Sequence, residues 1–405
     1  MAADIAPTRG RCCDICQSHR RAVVYEQRFV SFDHDAGLLT GYDVAVCGGC
    51  GFVYADGLPE PLVFERYYRE MSKHGPAFDA TRPVPSYRTH NIDLIASQVV
   101  KRLPDRSARI LDVGVGNGDI LLALREFGYR NLTGLDPSPR TAEIVESRHK
   151  LRVLNTPVSQ LTSCTEKFDV ILLSGVLEHF RDLRPTLLLL KTLLDKNGCM
   201  CVAVPDAARF AECVESPYQY FSVEHINFFT MRSLQSLFAC VGMNLRSSCW
   251  ESTALLGVLK EPIIHGIFET GAIALPPMRD PNGSEQIGRY VAYSRLRQDV
   301  LMARIQEFLT SGDGIVIWGA GSLTMHLLSD PRFSLLNVVA FVDANANYWD
   351  KTIRGVPVIS PASVAAYRET ILIVSYSYED EICSEIRTLY QLNNKIVRLF
   401  GVERV

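Results

Sequence analysis

The stretch Arg-Ile-Leu-Asp-Val-Gly-Val-Gly-Asn-Gly-Asp, residues 109–119, decides the fold. Its apolar beginning, which ends at Asp112, predicts a buried parallel strand. Three glycines follow at alternate positions, Gly114, Gly116 and Gly118, and an apolar run with helical spacing comes next. A strand, a glycine turn and a helix let the backbone approach a nucleotide-like ligand closely, because glycine brings no Cβ to the contact.

A second predicted strand, residues 131–135, ends just before Asp136. That carboxylate follows the glycine turn by about 20 residues, a spacing at which it can accept hydrogen bonds from both hydroxyls of a ribose. The glycine pattern is led by an acid, and it differs from the Gly-x-Gly-x-x-Gly pattern that cradles a pyrophosphate. An acid at the turn suits a cation better than a phosphate.

These residues resemble motif I of the class I methyltransferases, which bind S-adenosylmethionine, a sulfonium that also carries an ammonium. Asp136-Pro137-Ser138 resembles the second motif of that class, and residues 167–173 resemble its fourth strand. The resemblance implies S-adenosylmethionine as the cofactor, and a glycine turn in some other α/β domain is the alternative. The expected cofactor-binding residues are Asp112, Gly114, Gly116, Asn117, Gly118, Asp136, Pro137, Ser174 and Tyr87.

Length and composition narrow the class of protein. A chain of 405 residues exceeds one ordinary core, so two to three domains are expected. A net charge of −3 provides no positive electrostatic potential that would attract nucleic acid or an anionic membrane. No stretch approaches the ~18 apolar residues of a membrane span, and no apolar signal core begins the sequence. We therefore expect a cytoplasmic protein whose twelve cysteines are thiols or metal ligands.

Two C-x-x-C pairs indicate a metal site near the N-terminus. The four cysteines are Cys13, Cys16, Cys47 and Cys50. Two such turns can complete a tetrahedral zinc site, and residues 23–32 and 42–46 between them predict a β-hairpin. Cys12 could replace Cys13, but the spacing favours Cys13. Four thiolates close the coordination shell, so we expect structural zinc; reduced thiols without metal are the alternative.

The expected fold class is α/β, with a class I methyltransferase Rossmann-like core, an N-terminal Cys₄ zinc module and a second, smaller Rossmann-like domain. Strands and helices are predicted to alternate from about residue 85 to 250, which favours a doubly wound sheet. The polar and aromatic stretch from Tyr67 to Tyr87 is either a lid over the cofactor or a surface connection. The expected domains are a zinc-binding module (1–70), the methyltransferase core (71–255), a helical connector (256–312) and a C-terminal substrate- or nucleotide-binding domain (313–405).

Two stretches beyond predicted strands carry candidate catalytic residues. Ser174-Gly-Val-Leu-Glu-His179 follows the predicted fourth strand, and methyltransferases of this class carry an acid and a histidine there, at the edge of the cofactor pocket. An insertion further on contains Glu224-His225 among aromatic residues, just before a helix that Thr230 caps. His225 could act as a base near neutral pH with Glu224 orienting it. Alternatively, both residues satisfy backbone groups in a buried loop.

The whole arrangement resembles the nucleotide-sugar C-methyltransferases, which add a methyl group to a carbon next to a ketone in deoxysugars. The resemblance implies that Glu224 and His225 are the Glu-His pair of that family and that His179 is its histidine after the fourth strand. The chain departs from the family at Ser222, where a catalytic tyrosine is usual, and it has no clean match to the lid tyrosine near residues 72–74.

The resemblance implies methylation of a nucleotide-linked ketosugar by base-assisted enolisation, in a monomer or homodimer. The first alternative is an O- or N-methyltransferase acting on a different small molecule of natural-product or polysaccharide biosynthesis. A non-catalytic scaffold is the second. An oxidoreductase that uses the C-terminal glycine turn, residues 314–321, is the third; Thr324 replaces the third glycine there, so the match to the dinucleotide pattern is incomplete.

Overall fold

The structure, a computed structural model, describes residues 10–33, 39–70, 86–255, 258–271 and 276–401, without the side chains of 86–90 and 250–260. The chain forms two compact units. The first comprises Met1–Val24, Val44–Cys213 and Glu224–Gly288, and the second comprises Tyr25–Asp43, Val214–Val223 and Arg289–Val405. Most of the lid stretch, residues 71–85, lies outside the described residues.

The N-terminal segment contains three strands and two helices. They are β1 (Arg21–Arg28), β2 (Gly41–Cys47), β3 (Val53–Asp56), α1 (Pro61–Glu70) and α2 (Ser86–Arg102). Strands β1 and β2 are neighbours in one sheet, which confirms the hairpin expected between the cysteine pairs.

The main α/β region follows. Its elements are β4 (Arg109–Val113), α3 (Asp119–Glu126), β5 (Asn131–Leu135), α4 (Pro139–His149), β6 (Arg152–Leu154), β7 (Phe168–Ser174), α5 (Leu183–Thr192), β8 (Leu194–Pro205), β9 (Asn227–Phe228), α6 (Met231–Cys240), β10 (Met243–Leu255) and β11 (Val258–Thr270). Seven of these strands form one sheet in the order β10-β11-β8-β7-β4-β5-β6, while β9 joins the N-terminal sheet beside β3. Strands β4 to β8 are parallel, and β11 is antiparallel to both neighbours. This is a doubly wound sheet with an antiparallel strand inserted near one edge.

Strand β11 lies in a stretch for which the sequence analysis predicts only a connector. Pro262, a residue type that usually interrupts strands, lies inside this strand. The pairing of β11 with β8 begins one residue later, at Ile263 opposite Pro205. Proline has no backbone N–H, so a strand tolerates it at a position where the ladder needs no donor. The expectation of a helical connector directly after residue 255 is therefore wrong for this strand.

Thr230 caps α6, as the sequence predicts. Its hydroxyl accepts from the backbone N–H of Ser233 at 3.1 Å, and the Ser233 hydroxyl accepts from the N–H of Thr230 at 2.9 Å. This reciprocal capping box fixes where the helix begins. It therefore also fixes the end of the insertion that carries Glu224 and His225.

The cysteine module shares its core with the main sheet. Phe52, which follows the second C-x-x-C pair, stacks on Phe229 with ring centroids 5.4 Å apart. One cluster of buried residues contains the cysteines Cys13 and Cys47 together with Leu111 and other residues of the sheet. A change at the cysteines is thus transmitted directly to the core of the first unit.

The second unit contains another, smaller parallel sheet. The elements from the start of the long helix onward are α7 (Gly283–Arg304), α8 (Gln306–Ser311), β12 (Ile315–Trp318), α9 (Ser322–Leu327), β13 (Val338–Val342), β14 (Thr352–Ile353), β15 (Val356–Ile359), β16 (Thr370–Ile373), α10 (Glu379–Thr388) and β17 (Ile396–Arg398). The strand order is β14-β15-β13-β12-β16-β17, and only the pairing of β14 is antiparallel. None of the described helices combines the length and hydropathy that crossing a bilayer requires.

Candidate active site and cysteine cluster

The glycine turn after β4 has a backbone conformation that favours glycine. Gly114 and Gly116 have φ values of +73° and +51°, in the left-handed region that side chains rarely adopt. A Cβ on Gly114 would lie 2.5 Å from Cγ1 of Val176. On Gly116 it would meet only the carbonyl oxygen of Gly114, at 3.9 Å, so this position faces open space.

A buried acid lies directly before this turn. Asp112 is 3% exposed and pairs in register with Gly134 of β5 and Leu172 of β7. Burial, followed by the charges of Asp136 and Asp119, raises the pKa of Asp112 well above its usual range. Three carboxylates that destabilise one another's charge form an environment in which a cationic ligand is favoured.

Most of the other expected cofactor residues lie at the carboxyl ends of the same strands. Asp136 directly follows β5 and its Oδ1 accepts from the N–H of Ser138 at 2.9 Å. Pro137 comes next along the chain, and Ser174 is the last residue of β7. Asn117 and Gly118 lie in the turn before α3. Tyr87 belongs to the first turn of α2, and its side chain lies outside the described part. The cofactor roles of all these residues stay predictions.

The two candidate histidines face each other. The rings of His179 and His225 have centroids 4.9 Å apart and are nearly perpendicular. Nδ1 of His179 lies 3.0 Å from the backbone oxygen of Glu224. A carbonyl oxygen only accepts, so we assign the ring proton to Nδ1, and Nε2 of the neutral ring then carries the lone pair.

Two tyrosines of α1 reach these residues. The hydroxyl of Tyr67 donates to Oε1 of Glu224 at 2.7 Å, and the hydroxyl of Tyr68 lies 3.1 Å from Nδ1 of His179. Burial and the carboxylates of Glu224 and Glu178 raise the pKa of Tyr68 well above its usual range, so it stays a neutral phenol. Sequence reasoning named Tyr67 only as the start of a lid; its contact joins residues far apart in the chain.

Asn227 holds the two histidine-bearing segments together. Its side-chain amide donates to the backbone oxygens of Leu177 at 3.0 Å and Phe180 at 2.8 Å. The N–H of Ile226 also donates to the backbone oxygen of Glu178 at 2.8 Å. In the insertion, Asn227 and Ile226 therefore satisfy backbone groups, while the side chain of Glu224 contacts Tyr67.

Glu178 is the acid beside His179. The side chain is 3% exposed, and burial raises its pKa to about 8, with Glu261 adding to the shift. Its Oε2 has no hydrogen-bond partner among the described residues. The sequence analysis noted an acid at this position but assigned it no role.

The four cysteines of the two C-x-x-C pairs come together. Sγ of Cys13 lies 3.5 Å from that of Cys50, and Sγ of Cys16 lies 3.4 Å from that of Cys47. All four sulfurs lie within 4.8 Å of one another. Tetrahedral zinc with Zn–S bonds of about 2.3 Å places its sulfurs about 3.8 Å apart, so the cluster fits this ion. Cys12 lies outside the cluster, as the spacing predicts.

The glycine turn of the second unit is bonded internally. Oδ2 of Asp343, the acid after β13, accepts from the N–H of Ala320 at 2.8 Å. The hydroxyl of Thr324, in place of the third glycine, donates to the oxygen of Gly319 at 2.5 Å. Asp343 and Thr324 thus stabilise the turn itself.

Models of two protein families match parts of this chain. The model of the family described as "Methyltransferase domain" matches residues 87–248, and that described as "C2185-like, N-terminal" matches 312–397. The chain is 39% identical over 82 residues to EEF1A lysine methyltransferase 2 of Homo sapiens, covering 16% of this chain and 35% of that protein. It is 26% identical over 132 residues to the ubiquinone biosynthesis O-methyltransferase of Cereibacter sphaeroides, covering 29% and 53%.

Among solved structures, the magnesium protoporphyrin IX methyltransferase of Synechocystis aligns with a TM-score of 0.41 at 12% identity, covering 51% of this chain and 99% of that one. The curated relatives are matched over only about a third to a half of their own length. The family match over residues 87–248, together with the parallel sheet and its glycine turn, identifies a class I Rossmann-like, S-adenosylmethionine-dependent methyltransferase domain in the first unit.

Proposed function

We propose that this protein is an S-adenosylmethionine-dependent methyltransferase that acts on a small-molecule acceptor, and specifically on a carbon next to the ketone of a nucleotide-linked sugar. One observation carries the proposal: His179 and His225 face each other at the end of the sheet that carries the acid-led glycine turn. A charged methyl donor and a proton acceptor would thus share one edge of one sheet.

The cofactor supplies the electrophile, so the protein has to supply a nucleophile and its alignment. His225 would accept a proton from the carbon beside the ketone, and the enolate formed there would be the nucleophile for the methyl group that the bound cofactor would supply. In its imidazolium form, with a second proton on Nε2, His179 would stabilise the developing charge on the oxygen. Glu224 is held by Tyr67 and contributes a fixed negative charge near the base.

O-methylation is the second candidate. Ser222 stands where the resembled family has its catalytic tyrosine, and a matched relative is named as an O-methyltransferase. In that reaction His225 would deprotonate a hydroxyl group. The positions of the two histidines are compatible with methylation of carbon and of oxygen, so the methylated product has to distinguish the two reactions.

The test uses S-adenosylmethionine with a ¹³C-labelled methyl group and a panel of nucleotide-linked ketosugars. We expect transfer to at least one ketosugar, and the ¹³C shift of the transferred methyl distinguishes a carbon–carbon bond from an ether. Transfer to oxygen favours the second candidate. Cofactor binding without transfer to any acceptor would favour a non-catalytic scaffold.

We also propose that the four-cysteine cluster holds a structural zinc ion. The short separations between the sulfurs support this, as does Gly49, where a Cβ would lie 2.8 Å from Sγ of Cys16. The N–H of Gly49 also donates to Sγ of Cys47 at 3.3 Å, as in turns that hold thiolates. Four thiolates leave no open coordination position, so the ion would take no part in the chemistry.

Gly116→Val is expected to abolish cofactor binding. The new side chain would project into the open space of the turn, and its left-handed backbone would add strain of about 1–2 kcal/mol. Gly355→Val is the matched control, because Gly355 has a φ of +77° and open space but lies in the second unit. Calorimetric titration with S-adenosylmethionine should fail for the first variant only; equal binding by both variants would contradict the assignment of this turn.

Cofactor binding is expected to release protons through Asp112. The raised pKa means that part of the Asp112 population is protonated above the ordinary range of an aspartate. A nearby cation favours the ionised form, so binding lowers the pKa, and affinity rises with pH across that window. Titration in two buffers of different ionisation enthalpy should give different apparent enthalpies. Asp112→Asn should remove the difference between the apparent enthalpies in the two buffers, and Asp119→Asn should retain it. Equal apparent enthalpies for the native protein would show that cofactor binding releases no proton.

A further inference from the structure

A second group of metal-ligating side chains lies beside the glycine turn. Glu178, His179 and His225 each offer one ligand atom, a carboxylate oxygen or a ring nitrogen, and these atoms lie within 4.8 Å of one another. We infer that these three residues form a second metal site, which binds a divalent ion of intermediate hardness such as Zn²⁺ or Co²⁺. This site is distinct from the four-cysteine cluster in its residues and in its donor atoms.

The carboxylate of Glu178 provides independent support. It is 3% exposed, and its Oε2 has no hydrogen-bond partner within the described ranges. A buried polar atom without a partner is costly, and native structures rarely retain one without a reason. A bound cation would satisfy this oxygen, and no protein donor among the described residues does so.

His179 has the hydrogen bond that metal-binding histidines usually have. Its Nδ1 donates to the backbone oxygen of Glu224 at 3.0 Å, with the hydroxyl of Tyr68 at 3.1 Å on the same atom. A bond from one ring nitrogen to a carbonyl orients the ring and leaves the lone pair of the other nitrogen for a metal. The tautomer required for coordination is therefore already selected.

The positions of the ligands are set by backbone hydrogen bonds. Glu178 and His179 follow β7, and His225 comes from the insertion before α6. Asn227 and the N–H of Ile226 connect these two segments. Tetrahedral ligands about 2.1 Å from an ion lie about 3.4 Å apart, so small side-chain rotations are enough to bring three atoms to an ion.

The donor set indicates the class of ion. Two imidazoles and one carboxylate suit Zn²⁺, Co²⁺, Fe²⁺ or Mn²⁺, whereas four thiolates select zinc and other soft ions. Three protein ligands also leave at least one coordination position open, as in catalytic rather than structural sites.

Metal binding at this site would exclude base catalysis by His225. The same ring lone pair cannot hold an ion and accept a proton, so a bound ion should inhibit methyl transfer. This consequence rests on the proposed function, whereas the existence of the site does not.

The test loads the full chain with Co²⁺ or Zn²⁺, removes unbound metal by gel filtration, and measures metal per chain. The native protein is expected to hold one equivalent more than Glu178→Gln. With Co²⁺, the thiolate charge-transfer bands of the cysteine cluster should persist in that variant, and only the weaker bands of a nitrogen and oxygen site should disappear. Glu261→Gln is the control, because Glu261 contributes its charge to the surroundings of Glu178 and is not one of the three proposed ligands. His225→Asn is a second variant that removes one proposed ligand. If it still binds the cofactor in a titration, its loss of metal does not result from unfolding.

Equal metal content in the native protein, Glu178→Gln and His225→Asn would overturn the site. If the extra ion binds, Zn²⁺ should reduce the turnover of the native protein towards that of His225→Ala. Undiminished turnover with the extra ion bound would contradict the inference that metal binding prevents base catalysis by His225. Absence of turnover with every acceptor would refute the proposed function instead, and the metal content would still decide whether the site exists.

Discussion

His225→Ala is expected to lower turnover by about 10²–10⁴-fold, the contribution of one well-placed general base, while the dissociation constant of S-adenosylmethionine stays unchanged. The separation follows from the geometry. His225 belongs to the insertion before α6 and packs against the ring of His179. The glycine turn that should hold the cofactor follows β4 instead. Removing the imidazole takes away the proton acceptor and leaves that turn intact.

The measurement pairs single-turnover kinetics with calorimetric titration of the cofactor. His19→Ala, an exposed histidine of the N-terminal segment, is the matched control and should behave as the native protein. Tyr67→Phe removes the hydrogen bond to Glu224 and should produce a smaller loss than His225→Ala. Near-normal turnover of His225→Ala would mean that another group accepts the proton.

Cys47→Ser is expected to unfold the first unit or to leave it only marginally stable. Structural zinc in zinc-finger peptides is worth about 10–16 kcal/mol, and the net stability of a domain is about 5–15 kcal/mol. Serine nearly preserves the volume but supplies no thiolate. Because Cys47 belongs to the same buried cluster as Leu111 of β4, loss of the ion should destabilise the methyltransferase sheet as well as the N-terminal strands.

Thermal unfolding followed by circular dichroism, together with zinc content, checks this result. Cys12→Ser is the matched control, since Cys12 neighbours the cluster without belonging to it. We expect the control to keep one zinc ion and a native melting temperature, and Cys47→Ser to lose both. A stable, zinc-free Cys47→Ser protein that still binds the cofactor would show that the cluster is not structural.

Local sequence patterns were sufficient for much of the fold. Strands β4 and β5 begin and end where the sequence predicts, because each is a short apolar run bounded by glycine or an acid. The cap at Thr230 and the convergence of the four cysteines were also predicted correctly. Each of these features depends on residue types at short, regular spacings.

Strand β11 shows where such patterns fail. Pro262 predicts a break when only its neighbours in sequence are considered, but pairing with β8 begins one residue later. Whether the ladder needs a backbone N–H at the position of a proline depends on the partner strand, which local sequence does not specify. The sequence analysis consequently missed the antiparallel strand of the main sheet.

By itself, the sequence determined the strand and glycine turn at β4, the acid beside that turn, the cysteine cluster and the candidate histidines, because these follow from spacing and residue chemistry. Only the tertiary structure placed Tyr67 on Glu224, Tyr68 beside His179, and the buried carboxylate of Glu178 near two imidazoles. These contacts join residues up to 157 positions apart. They depend on which segments the packing of the sheet brings together, and burial then sets the protonation of the groups that meet there.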